Sequence, residues 1–234
     1  FNATPEMILQ GQDIPIHLGS FMPAMKAVAE FFSEDIHEGD LILHNDPAYQ
    51  GSHIVDMCMY RPVFYKKKHV FWTACKGHLT DAGGPVPASY NPEATEIFAE
   101  GLRIPPIKLW DKGKPRDDIL NMVLTNMRAR RNQEGDFRAL IGSCQVGERN
   151  LINMLDRYGL NEVNLCIDEL LSMADRHMRS LIKKIPDGSY SGTAILEDAG
   201  HGLGDIEITA NLTIKDDVCD IGIISPPQVP YFIN

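Results

Sequence analysis

The sequence lacks any segment built to hold a nucleotide. It has no GxxxxGK(S/T) run, and no glycine-rich turn between a strand and a helix of the kind that cradles a pyrophosphate. Paired cysteines are lacking too: the five, at 58, 75, 144, 166 and 219, are odd in number and include no CxxC. That excludes a disulfide framework and a cysteine-based structural zinc site. It fits buried thiols in a reducing cytoplasm. No apolar run approaches the roughly 18 residues of a membrane span, and the N-terminus has no basic-then-apolar leader pattern. Positive charge is scarce, with 22 Lys and Arg against 32 Asp and Glu, a net charge of -10. A surface of that sign repels phosphate backbones and anionic lipids, so neither nucleic acid nor membrane is an expected partner. The short basic clusters Lys66-Lys67-Lys68 and Arg128-Ala129-Arg130-Arg131 read as solvated surface.

What is present is ordinary globular composition, 44% hydrophobic, enough for a sizeable core. Residues 20–33 have helical spacing, with Ser20 placed to cap the start. Residues 41–44 and 57–65 read as strands. Lys66-Lys67-Lys68 then makes a hairpin tip, and residues 69–75 return as a third strand. A glycine-rich loop (77–84) and a long proline-bearing connection follow, to about residue 107. Helical periodicity then covers 116–133, 136–158 and 161–184, the last with Leu165, Leu170, Leu171, Met178 and Leu181 on its apolar side. Pro186-Asp187-Gly188 stops it, and alternating stretches at 189–197, 205–214 and 218–224 form an antiparallel meander. The expected fold is α+β, with mixed or antiparallel sheets and long helices. The expected division is a metal-site portion at 1–110 with glycine-rich loops, a helical region at 111–186, and a meander from 187 that continues past 234. The chain opens on Phe1 and closes on Phe232-Ile233-Asn234, and is expected to be part of a larger multi-domain subunit.

Two segments place a histidine beside a small residue and an aspartate three positions on: Gly51-Ser52-His53-Ile54-Val55-Asp56 and Gly77-His78-Leu79-Thr80-Asp81. Imidazole with carboxylate suits a divalent ion that keeps open positions. Residues three apart on a straight strand point to opposite faces, so convergence needs a turn, which the flanking glycines permit. If 57–75 is a hairpin, its ends bring His53, Asp56 and His78 together. The alternative leaves all of them as turn residues capping backbone groups. His17 and His44, in or beside apolar stretches, read as core residues, and His177 reads as a helix-surface or packing residue. His201 is a loop residue, and Gly200–Gly204 lacks the lysine and following helix of a phosphate loop.

Five ordered segments carry a resemblance. GDLILHNDPAYQGSHIVDMCMYRPVF, KGHLTDAGG, EGLRIPPIKL, QEGDFRALIGSCQVGERNL and SPPQVPYFIN together resemble the hydantoinase B/oxoprolinase family, nearest its acetone and acetophenone carboxylase branch. The resemblance implies that His53, Asp56 and His78 ligate a divalent metal, with manganese expected and zinc or iron as alternatives. Asp46 and Asp81 stand second, as further ligands, orienting groups or loop-shaping residues. It implies a cytoplasmic catalytic subunit of an ATP-dependent complex. The ATP would be used by a hydantoinase A-type partner subunit, with or without a small third subunit. Ketone carboxylation through a phosphorylated enol is the first expectation. The alternatives are ATP-dependent opening of a cyclic amide by a hydantoinase, oxoprolinase or lactamase, and a non-catalytic scaffold paralogue.

Overall fold

The computed structural model describes residues 1–11, 17–197 and 201–226. They divide into two compact units, one of Phe1–Asn91 with Glu96–Val163, the other of Pro92–Thr95 with residues from Asn164 onward.

The first unit is built on a five-stranded antiparallel sheet. Its strands are β1 (Leu41–His44), β2 (Asp56–Tyr65), β3 (Lys68–His78), β4 (Ile107–Asp111) and β5 (Lys114–Pro115), in the order β3-β2-β1-β4-β5. Helix α1 (His17–Phe32) covers one face, where Ala24, Met25 and Val28 pack on Ile42, Cys58, Tyr60 and Trp72. Helices α2 (Asp117–Thr125) and α3 (Arg130–Tyr158) join the core of the other, with Val123, Leu124, Phe137, Leu140 and Cys144 against Leu41, Leu43, Met57, Met59 and Leu109. Because both faces are covered, β1 is buried at all four positions and β2 at its first eight. That is why these strands read as near-continuous apolar runs instead of alternating.

The β2–β3 hairpin turns at Lys66 and Lys67, whose φ values of 50° and 68° give the left-handed two-residue turn that matches strand twist. Several local expectations are corrected. Helix α1 already includes His17, so Ser20 lies inside it, its hydroxyl donating back to the His17 carbonyl at 3.3 Å. Strands β4 and β5 have no counterpart in the sequence reading. They are short, β4 half-buried and β5 exposed, and joined by a turn at Lys112 and Gly113, with little periodicity to reveal them. The helix break falls at 126–129, where Ala129 is left-handed (φ 52°), earlier than the gap expected before residue 136. Its cause is tertiary: the Arg128 amide donates to the buried Asp81 carboxylate at 2.9 Å.

The second unit holds most of α4 (Leu160–Ile182) and the meander β6 (Gly188–Leu196), β7 (Ile206–Lys215) and β8 (Val218–Ile224), in the order β6-β7-β8. None of the five cysteines forms a disulfide; Cys58 and Cys144 are buried, whereas Cys166 is exposed. Among the described residues, no helix is long and apolar enough to cross a membrane.

Candidate metal centre

Register brings the candidate residues together. Asp56 opens β2 and His78 closes β3, and the two are direct cross-strand partners. His53 joins them through a turn in which the Asp56 amide donates to the His53 carbonyl at 2.9 Å. This turn solves the three-residue spacing that a straight strand would defeat. His78 Nδ1 lies 2.7 Å from Asp56 Oδ1 and His53 Nδ1 lies 3.5 Å from Asp56 Oδ2. The imidazoles stand at 86° with centroids 5.9 Å apart. One ligand atom from each of the three residues falls within 4.8 Å of the others. Asp56 is fully buried, while His53 and His78 are 44% and 54% exposed. The carboxylate is therefore the floor and the rings are an open rim.

The floor is held from behind. The Ser52 hydroxyl donates to Asp56 Oδ2 at 2.5 Å, and the His53 amide donates to the same oxygen at 3.3 Å. Burial alone would raise the Asp56 pKa, but the bonds from Ser52 and His78 and the nearby His53 outweigh it and hold the carboxyl below its usual range. Lys76 Nζ in turn donates to Ser52 Oγ and to Ser20 Oγ, each at 2.9 Å. Burial, then the Lys76 cation, lower the pKa of His17, which also feels Asp56, His78 and His53. The first turn of α1 thus borders the site.

The loop carrying His53 is fixed by a buried asparagine. Asn45 donates to the Ile54 and Leu102 carbonyls at 2.6 and 2.9 Å and accepts from the Ile104 amide at 2.7 Å. Gly51 is required here, because a Cβ would come 2.2 Å from the Asn45 carbonyl oxygen. Asp46 and Asp81 lie outside the three-residue cluster. Asp46 accepts from the Ala48 amide at 3.0 Å and from Arg103 Nη2 at 2.9 and 3.0 Å. Asp81 accepts from the Gly83, Ala88 and Arg128 amides and from Arg128 Nη1, all within 3.0 Å. His44 is fully buried beside Tyr60, its pKa lowered first by burial. Ser52, Lys76, Asn45 and Arg103 were not singled out from sequence. Lys76 alone carried a signal, as a lysine in an apolar strand two residues before His78.

Two imidazoles and a buried anionic carboxylate with one open side form a donor set that suits a divalent ion able to bind a reactant. The family pattern of hydantoinase B/oxoprolinase matches residues 1–234, and the chain belongs to that family. It is 68% identical to caprolactamase subunit beta of Pseudomonas jessenii over 234 residues, the whole of this chain and 40% of that protein. It also superposes on a chain in the crystal structure of ATP-dependent caprolactamase from Pseudomonas jessenii with a TM-score of 0.95 at 68% identity, again covering 100% of this chain and 40% of the other. Identity to acetophenone carboxylase delta subunit of Aromatoleum aromaticum is 32% over 167 residues, 71% of this chain and 24% of that subunit. The chain therefore spans less than half the length of these relatives.

Proposed function

We propose that this chain is the metal-bearing part of an ATP-dependent cyclic-amide hydrolase, acting with a nucleotide-binding partner subunit. The observation that carries the reading is the convergence of His53, Asp56 and His78 on one open point. The 68% identity to a caprolactamase subunit, against 32% to a carboxylase subunit, puts ring opening ahead of the ketone carboxylation expected from sequence. The absence of any nucleotide-binding segment in this sequence supports a partner that binds ATP. Five cysteines with no disulfide among them support a reducing, cytoplasmic setting.

The residues divide the work. His53 and His78 present nitrogen donors at the rim, and Asp56 presents a carboxylate kept anionic by Ser52 and the His53 amide. A divalent ion held there would supply Lewis acidity, stabilising the negative charge that develops on oxygen as water attacks the acyl carbon. Asn45 and Asp81 keep the two loops in register, so that the rim does not spread when a ligand enters. Activation by ATP fits the chemistry, because an unstrained lactam is a poor electrophile, and phosphorylating its oxygen opens the acyl carbon to water so that the ring C–N bond can break and leave an acyl phosphate for hydrolysis.

The test uses the full-length subunit with its partner. With ATP, a lactam should be opened, whereas a ketone with labelled bicarbonate should give no labelled acid. Metal analysis should find a divalent ion, and His78→Ala should abolish ring opening, lose the ion and leave part of the partner's ATP hydrolysis. Label fixed into a ketone would restore carboxylation as the better reading. A metal-free complex, or a fully active His78→Ala, would point to the scaffold paralogue.

A further inference from the structure

Lys76 is a charge that the reading above leaves unused. It stands two residues before His78 on β3, so both side chains leave the same face of the sheet. Its cross-strand partner is Cys58, which pairs in turn with His44. The ammonium donates to Ser20 and Ser52 and rests 5.6 Å from the centroid of the Phe21 ring. An ammonium has three N–H donors. Two are engaged here, both by neutral hydroxyls, and among the described residues no carboxylate pairs with it. The neighbours that feel its charge, His17 on α1, His44 on β1 and Cys58 on β2, are not anions. Asp56 is reached only through Ser52, and both of its oxygens are occupied by Ser52, the His53 amide and His78.

A half-buried cation without a counter-ion loses hydration and gains little in return. The hydroxyls around it are already oriented. Ser20 sends its hydrogen to the His17 carbonyl and Ser52 sends its own to Asp56, so both oxygens face the ammonium as acceptors. Lys76 is thus fixed in place with a donor left over, one hydroxyl away from the triad's carboxylate. We propose that Lys76, held between Ser20 and Ser52, is an oxyanion subsite beside the metal centre that receives the phosphoryl group of the activated substrate. This ligand class rests on the ATP-dependent reading. A neutral lactam gives the ammonium nothing to pair with, whereas a lactam phosphorylated on oxygen carries the missing charge to the rim. The metal donors would then face the acyl carbon while Lys76 faces the departing phosphate. Water adds to the acyl carbon and the ring C–N bond breaks, its electron pair and a proton going to the nitrogen, so that an acyl phosphate remains. A second water then displaces the phosphate, the C–O pair leaves on the phosphate oxygen, and the added charge falls next to the cation.

The probe is inorganic phosphate, titrated calorimetrically into the full-length complex, with acetate as a second arm. Wild type should bind phosphate in preference to acetate. Lys76→Met should weaken phosphate binding about tenfold, the range of a charge-assisted contact, with metal content unchanged, and Lys76→Arg should recover most of the loss. Ser20→Ala, on α1 and away from the triad, should weaken it by a smaller factor. The proposal is overturned if wild type does not bind phosphate, if acetate binds equally well, or if Lys76→Met keeps full phosphate affinity. It is overturned too if Lys76→Met loses metal along with phosphate, since the lysine would then only brace Asp56. A metal-free wild type whose phosphate affinity still depends on Lys76 would sink the metal centre and leave the subsite standing.

Discussion

The five-stranded sheet and the three-stranded meander use the same chemistry to opposite ends. In the first unit, β1 and β2 lie between helices, and Leu41, Ile42, Leu43, Met57, Met59 and Tyr60 are fully buried. In the second, alternation sorts apolar from polar residues cleanly. Ile208, Ala210, Leu212 and Ile214 of β7 share a face with Ile221 and Ile223 of β8, while Thr209, Asn211 and Thr213 take the other. Yet of these only Ile214 is buried, and Ile221 and Ile223 are 63% and 69% exposed. Strand formation is a local property, whereas burial depends on what is packed on top. The site sits where the packing is complete: its floor, Asp56, belongs to the strand that the core holds most firmly.

The largest expected effect is in that core. Phe137 on α3 is fully buried in the cluster beneath the sheet, and Phe137→Ala should cost about 3–5 kcal/mol. Both tryptophans, Trp72 and Trp110, lie in the first unit, so denaturant unfolding followed by their fluorescence reads this unit alone. A loss under about 1 kcal/mol would mean that the two units do not differ in how they are held. Next comes Asn45→Ala, which strands a buried carbonyl, a part-buried one and a buried amide and should cost about 2–3 kcal/mol in the same assay. It should also weaken metal binding, because the His53 loop loses its anchor. Unchanged metal affinity would show that the β2–β3 hairpin positions the donors without help from the loop.

Much of this was legible because it is local. Three lysines between apolar runs mark the hairpin, and the hairpin alone brings residues 53–56 toward residue 78. The meander was equally plain, since its strands alternate and its turns carry Asp and Gly. What sequence did not reveal depends on distant partners. Asn45-Asp46-Pro47 reads as a turn, and nothing local says that Asn45 binds Leu102 and Ile104 or that Arg103 grips Asp46. The helix break at 126–129 is likewise fixed by Asp81, more than forty residues upstream. Strand β4 escaped notice because it alternates over only five residues, yet it closes the far side of β1. The role of Ser52 could have been read only once Asp56 and Lys76 were known to flank it.

The smallest effect falls on the meander and tests the comparison from its other side. Ile221 pairs with Leu212 and has most of its side chain in solvent. Ile221→Thr keeps the β-branch that suits a strand, so it changes burial more than strand preference. In this 234-residue chain the cost should be about 0.5 kcal/mol or less, the usual size for a surface substitution. Amide exchange of β7 is the measurement, since those amides are protected by the β6 and β8 ladders. A cost near 2 kcal/mol in the chain alone would show that the isoleucine face is already covered in solution, and the contrast between the units would fail. The same substitution in the full-length subunit with its partner sharpens the point. If its cost there rises well above the value in the isolated chain, the face is a seat filled by the rest of the assembly, and the meander's alternation was selected for that contact and not for a core of its own.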